Sequence, residues 1–362
     1  MMTDIQLNTA RRRLVLGISN VGVWVLASIA GIALVATEVA SPSTTGDLFK
    51  VMGWALAIQS LFDAVGGTLL MPDPSAASRR FLPLWLRGVT THSLLLFSMG
   101  ALSYWSFVLS GGFGLSILIS SLALVLFRRH ILLLVSNARI RPLKLEDRSC
   151  WGVDSADPSF TGGISGLARG AQPLLPASWK TRLTNEQIQA VIQRRLWEVS
   201  NHLPARSFLF TLLWNLAGSV IGSLVLQLHG RMAEPAILLQ SCWMTLWAFV
   251  GLLLLPSLSR SAVLSADQAL AAKGLDAAGW IRRFPQITGE DGNAKTLTQR
   301  IFYPIPSAAE RLSHLAAPSQ SPIFGNVARA NLFLSLATLT ILGRCVHCNV
   351  GRPELWIFPP SD

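Results

Sequence analysis

Six stretches of this chain, residues 14–36, 48–70, 88–109, 113–135, 207–228 and 236–256, are apolar over a bilayer's span. Crossing the hydrocarbon takes about 20 apolar residues as a helix, because the backbone must satisfy its own polar groups there. Composition agrees: 51% of the 362 residues are hydrophobic, 14% are charged and the mean hydropathy is +0.46. The first run follows Arg11, Arg12 and Arg13, as in a signal peptide, but it is too long for a signal core and lacks a small-residue cleavage site. It reads as the first transmembrane helix. The fourth run carries Arg128, Arg129 and His130, and its arginines are expected to snorkel to the headgroups while the helix continues out of the membrane.

Starting from the inside, loops 37–47, 110–112 and 229–235 face out, and 71–87, 136–206 and 257–362 face in. Of 30 Lys and Arg, only Lys50 and Arg231 fall on or beside an outer loop, a strong positive-inside bias. The net charge of +11 is thereby explained by topology, and nucleic acid is not an expected partner. The sequence thus divides into a four-helix transmembrane region (1–136), a first cytoplasmic piece (137–206), a transmembrane hairpin (207–256) and a second cytoplasmic piece with a tail (257–362). The inner (plasma) membrane is the expected location, with the N-terminus and soluble domain cytoplasmic.

The first cytoplasmic piece opens with turn-rich sequence from Asp154 to Gly170, suited to short strands and a hairpin at Gly162-Gly163. It ends in 183–202, where Thr184 and Gln187 form a capping box and Ile188, Val191, Ile192, Leu196 and Val199 an apolar face. The second piece reads as a helix over 257–274, a polar loop near 289–293, a helix over 307–315, and an apolar helix over 327–342, too short to span. From Cys345 the tail reads as irregular.

Four of these elements resemble the HtpX-like and CAAX-prenyl-protease-type membrane zinc metalloproteases. The active helix of that family runs roughly Leu-Thr-x-x-Glu-x-x-Ala-Val-x-x-His-Glu-x-x-His, and Leu183-Thr184, Ala190-Val191 and Leu196 stand where the pattern wants them. Beyond the membrane hairpin, Ser259-Arg260 and Ala266-Asp267 match its Ser-Arg-x-x-Glu-x-x-Ala-Asp motif. Residues 301–312 resemble its Phe-Ser-Thr-His-Pro-Pro-x-x-Glu-Arg-Ile element, and Ser159 to Gly163 its loop entering a small sheet. The resemblance implies an α-helical integral membrane protein of about six transmembrane helices with a small α+β, gluzincin-like cytoplasmic domain.

The catalytic positions of that family are changed. Its two histidine ligands fall on Arg194 and Glu198, its general base on Arg195, its third ligand on Val263 and a further histidine on Ile305. Guanidinium has no lone pair to donate and stays protonated, so zinc is not expected there. Either Arg194 or Arg195 can instead pair with Asp267 or Glu198 as a structural bridge; a solvated face of surface charges is the plainer alternative. Cys345, His347 and Cys348 have knuckle spacing but no second pair, and Glu198 with His202 lacks a third ligand, so neither makes a strong metal site. Asp63 and His92 are ionisable groups within spans and suit a register-fixing polar pair, with Arg87 near in depth. Two such groups are few for a transport path.

A catalytically inactive homologue serving as a binding, scaffolding or regulatory subunit is the favoured expectation. Its partners would be the bilayer, other membrane proteins and, at the degenerate cleft, a peptide or protein tail. The alternative is an active membrane metalloendopeptidase with a non-standard site.

Overall fold

The computed structural model describes residues 4–39, 41–71, 74–136, 138–145, 148–167, 170–289, 296–316 and 324–360. It begins with three long helices, α1 (Asp4–Ala36), α2 (Thr45–Ala64) and α3 (Pro74–Ser110). Thr44 starts α2 by accepting from the Asp47 amide at 3.3 Å, and α2 ends in a π-turn, Val65–Leu69. The fourth apolar run is broken. Helices α4 (Gly114–Leu126) and α5 (Arg128–Val135) meet at a 73° bend.

That bend corrects the expectation of a helix continuing outward with snorkelling arginines. Arg128 turns inward, donating to the Ile357 carbonyl at 2.9 and 2.7 Å and lying 4.6 and 4.0 Å over the rings of Phe333 and Phe358. A guanidinium given a carbonyl and two aromatic faces has no need of headgroups.

Four strands follow: β1 (Ile140–Leu145), β2 (Arg148–Val153), β3 (Gly163–Ser165) and β4 (Gln172–Pro176), in the order β1-β2-β4-β3. The β1-β2 and β3-β4 pairs are antiparallel and β2-β4 is parallel, so β3 is an edge strand. A short α6 (Trp179–Arg182) leads into α7 (Asn185–Ser200), then α8 (Leu203–Val225) and α9 (Ala233–Ala272). At 40 residues, α9 is about 60 Å long, twice a hydrocarbon core of roughly 30 Å. The stretch 257–274, read as a separate helix, is therefore the extension of a span. Beyond it lie α10 (Ala277–Thr288), α11 (Thr296–Phe302) and α12 (Ala308–His314), the last capped by Ser307. The loop expected near 289–293 falls mostly outside the described residues.

Among the described residues five helices are long and apolar enough to cross a membrane, six if α4 and α5 count as one span. The chain is thus a mostly helical, multi-span protein carrying a small mixed sheet.

The largest departure from the sequence reading is the segment after α13 (Val327–Leu334). Residues 335–338 form a 3-10 turn, and two more helices follow, α14 (Leu342–Cys345) and α15 (Pro353–Ile357). The tail expected to be irregular is instead folded and buried. Arg344, Asn349, Arg352 and Glu354 are each no more than 5% exposed. One apolar core joins this segment, through Leu355, Trp356 and Phe358, to Leu96 and Met99 of α3, Leu124 and Leu132 of α4 and α5, and Phe160 and Leu174 beside the sheet. A second core, beside the sheet and the helix that follows it, gathers Trp179, Ile188, Val191, Val263, Trp280 and Ile305.

Candidate functional site

The capping box of α7 forms: the Thr184 hydroxyl accepts from the Gln187 amide at 3.2 Å, and the Gln187 side chain accepts from the Thr184 amide at 3.3 Å. From this start, residues at helical spacing turn inward. Ile188, Val191 and Ile192 enter the second core, and Arg194, Arg195 and Glu198 are carried in with them. Both arginines are fully buried.

A buried guanidinium needs acceptors, and each arginine has found a different kind. Arg194 donates to the Asp267 carboxylate on α9, reaches the Val263 carbonyl at 3.4 Å, and lies 3.6 Å from Glu198 one turn away. From α12, Arg311 grips the same carboxylate in a fork, at 2.7 and 2.8 Å. Asp267 thus ties together three helices, α7, α9 and α12. Next to it, Arg260 on α9 pairs with Glu310 on α12. Arg311 is a partner that sequence reasoning did not assign, although Glu310-Arg311 stood inside one of the matched motifs.

Arg195 points to the sheet. It donates to the carbonyls of Leu174 and, at 2.7 Å, Thr161, and lies 5.7 Å from the centre of the Trp179 ring. Gly162 makes this possible: its φ is +78°, and a Cβ there would stand 2.0 Å from the Leu174 oxygen that Arg195 uses. Val263 and Ile305 meet in the second core. Of the positions singled out from sequence, Arg194, Glu198, Val263 and Asp267 come together around one carboxylate, and Arg195 is spent on the backbone.

These residues do not fit a catalytic zinc. Such a site needs three neutral or anionic donors facing one point, with a fourth position for water. Here two fixed cations converge on Asp267, Val263 is a hydrocarbon, and Ile305 is buried in the second core. Among the described residues no three His, Cys, Asp or Glu side chains cluster within metal-binding reach. Cys345, His347 and Cys348 have separate surroundings: Cys345 lies 3.3 Å from Gln59, Cys348 3.3 Å from Arg329, and the His347 ring stands 4.9 Å from that of Tyr303.

A second buried carboxylate sits in α2. Asp63, with no exposed surface, accepts from Arg344 at 2.5 Å, Gln59 at 3.1 Å, Trp85 at 3.3 Å and the Gly351 amide at 3.0 Å. Arg344 also meets Nδ1 of His92 at 3.3 Å, so that nitrogen accepts, and the guanidinium lies 4.2 Å over the Trp356 ring. Asp63 and His92 therefore share one arginine from the 340–359 segment. Gly351, at φ +72°, lets its amide reach Asp63: a Cβ there would lie 2.3 Å from the Asp63 carbonyl. Arg13 of α1 holds the segment from the other side, donating to the carbonyls of Gly66 at 2.6 Å, His347 at 3.1 Å and Val350 at 3.2 Å.

The same segment clips onto the loop before β3. Arg352 forks onto Asp157, and Glu354 accepts from the Ser155 hydroxyl and from the amides of Ala156 and Asp157 at 3.4 and 3.3 Å. Burial alone would raise the Asp157 carboxyl, but the Arg352 guanidinium outweighs it and holds it below the ordinary range. Glu354 goes the other way: burial first, and the charge of Asp157 second, push it up to about 7. Beyond the clip, Phe358 and Pro359 line a cleft with Gly162, Gly163 and Ile164 on edge strand β3, and with Glu198 and Arg329. Phe358 meets Phe160 edge-on at 6.4 Å and is 1% exposed.

No protein-family model matches this chain, and no curated protein does. Among solved structures, it is similar to Ste24p from S. mikatae, known from a crystal structure, with a TM-score of 0.59 at 14% identity over 75% of this chain and 76% of that one. At that identity the likeness is one of fold.

Proposed function

We propose that this chain is a catalytically inactive homologue of membrane zinc metalloproteases, serving as a binding, scaffolding or regulatory subunit of a complex in the inner (plasma) membrane. The sheet and α7 face the cytoplasm in this reading, following the distribution of Lys and Arg. The fold likeness to Ste24p, a CAAX prenyl protease, supports the broad class. The observation that carries the loss of activity is the Arg194–Asp267–Arg311 junction, because it joins α7, α9 and α12 with groups that repel a dication. The cleft beside β3 is the place for an extended chain to add to the sheet edge, and residues 358–359 of this same chain line it. A partner's segment would compete with them.

The test is metal content and proteolysis measured together on protein purified from native membranes. No stoichiometric zinc and no cleavage of an unfolded reporter are expected. One zinc per chain, removed by chelator along with cleavage of that reporter, overturns the reading.

A further inference from the structure

Helix α2 is pinned to its neighbours mainly near its ends. Toward the sheet it is held by Gln59 on Trp24 at 3.0 Å and by Asp63 on Arg344. At its far end Thr45 lies 3.5 Å from Glu234 of α9, and Phe49 meets Phe97 of α3 at 5.3 Å. Between these attachments lies a chamber of about 830 Å³ bounded by α1, α2, α3 and α9, with Leu339, Thr340 and Ile341 as its floor. Protein interiors are ordinarily packed to near crystal density, and a space this size falls in the range of ligand pockets, roughly 300–1,000 Å³.

The chemistry of the wall narrows the occupant. No Asp, Glu, Lys, Arg or His lines the chamber; small residues such as Ala27, Gly31, Ala55 and Gly100 open it. Three of its hydroxyls are engaged by the backbone: Ser241 donates to the Ile237 carbonyl at 2.8 Å, Thr245 to the Ser241 carbonyl at 2.9 Å, and Thr340 accepts from the Leu342 amide at 3.2 Å, while Thr45 turns to Glu234 at the far end. Water needs two or more polar partners and finds few here. The rim carries exposed apolar side chains, Leu34 at 43%, Phe49 at 53% and Trp105 at 59%, which belong in hydrocarbon. Along α1 the lining runs from Trp24 to Val35, about 16 Å of helix against roughly 15 Å for one leaflet's half of the hydrocarbon core.

We infer that this chamber holds one acyl chain of a bilayer lipid, entering from the leaflet that meets the far ends of α1 and α2. The inference is independent of whether the α7 junction is catalytic, since no residue of that junction lines the chamber.

The experiment uses protein purified from native membranes in mild detergent, washed extensively, then denatured and extracted for lipid quantification by mass spectrometry. A Cβ on Gly100 meets nothing within 4 Å, so Gly100→Phe fills the chamber; Gly53 is equally open but faces the bilayer outside it, so Gly53→Phe is the control. About one retained acyl lipid per chain is expected in the wild type and in Gly53→Phe, and at least tenfold less in Gly100→Phe with an unchanged or higher melting point. Gly100→Leu replaces the phenylalanine variant if that one does not fold. Equal retention in wild type and the filled variant, a wild type without lipid, or an isoprenoid or detergent as the retained molecule would each overturn the assignment.

Discussion

Two buried carboxylates, Asp63 among the candidate membrane-spanning helices and Asp267 beside α7 and α12, solve the same problem differently. Asp63 faces one guanidinium, and its remaining acceptor capacity is met by neutral donors: an amide side chain, an indole and a backbone N–H. Asp267 faces two guanidiniums, with Glu198 beside the first to restore the balance. In hydrocarbon an excess charge has nowhere to go, so pairing is one to one. Around Asp267 two guanidiniums and two carboxylates balance, and this larger cluster clamps three helices where the Asp63 cluster fixes a single inserted segment.

The difference ranks the outcomes of substitution. Asp63→Asn leaves Arg344 buried without its carboxylate and should cost the most, about 3–5 kcal/mol. The readout is loss of monodisperse, folded protein from detergent extracts; adding Arg344→Gln should recover much of it, and failure of the double variant to do so would break the one-to-one picture. Asp267→Asn strands two cations but leaves Arg194 with Glu198, so a smaller cost of about 2–4 kcal/mol is expected as a lowered thermal midpoint. Arg194→Met leaves the Arg311 fork on Asp267 intact and should cost only about 1–2 kcal/mol. If it proved as damaging as Asp267→Asn, the fork would not be the main clamp.

The smallest effect is a pH dependence at the clip between residues 155–157 and α15. Glu354 titrates near 7 when folded, above its ordinary value of 4.5, so the folded state binds the extra proton. Its favourable contribution is present below about pH 4.5 and is lost as pH rises toward and through 7, at most about tenfold in the local opening equilibrium per pH unit. Hydrogen exchange at residues 154–159 should therefore be faster at pH 8 than at pH 5.5 after correction for intrinsic rates, and Glu354→Gln should flatten the difference. Asp157, held low by Arg352, stays ionised across this window.

The Asp267 region was readable in the sequence to a degree that the Asp63 region was not. Leu183-Thr184, Ala190-Val191 and Ser259-Arg260 match the metalloprotease pattern, and it was this resemblance that set the 183–202 helix beside Asp267 and made an Arg–Asp bridge one of two readings. The spans were readable from hydropathy alone. The 340–359 segment was not: Arg344 and Arg352 look like solvated tail residues, and only carboxylates 281 and 195 positions away, Asp63 and Asp157, offset the cost of burying them. The bend at Phe127 was hidden for the same reason, since the acceptor that draws Arg128 inward, the Ile357 carbonyl, is 229 residues distant.

If guanidinium and carboxylate hold α7, α9 and α12 in place of a metal, the folded state has no zinc to lose or gain. The decisive measurement is the thermal midpoint of the purified wild-type protein with chelator, and then with one equivalent of zinc restored. A metal-free clamp predicts the same midpoint in all three states, because a ligand absent from the native state cannot stabilise it. A midpoint that falls on chelation and returns with a single equivalent of zinc would contradict it.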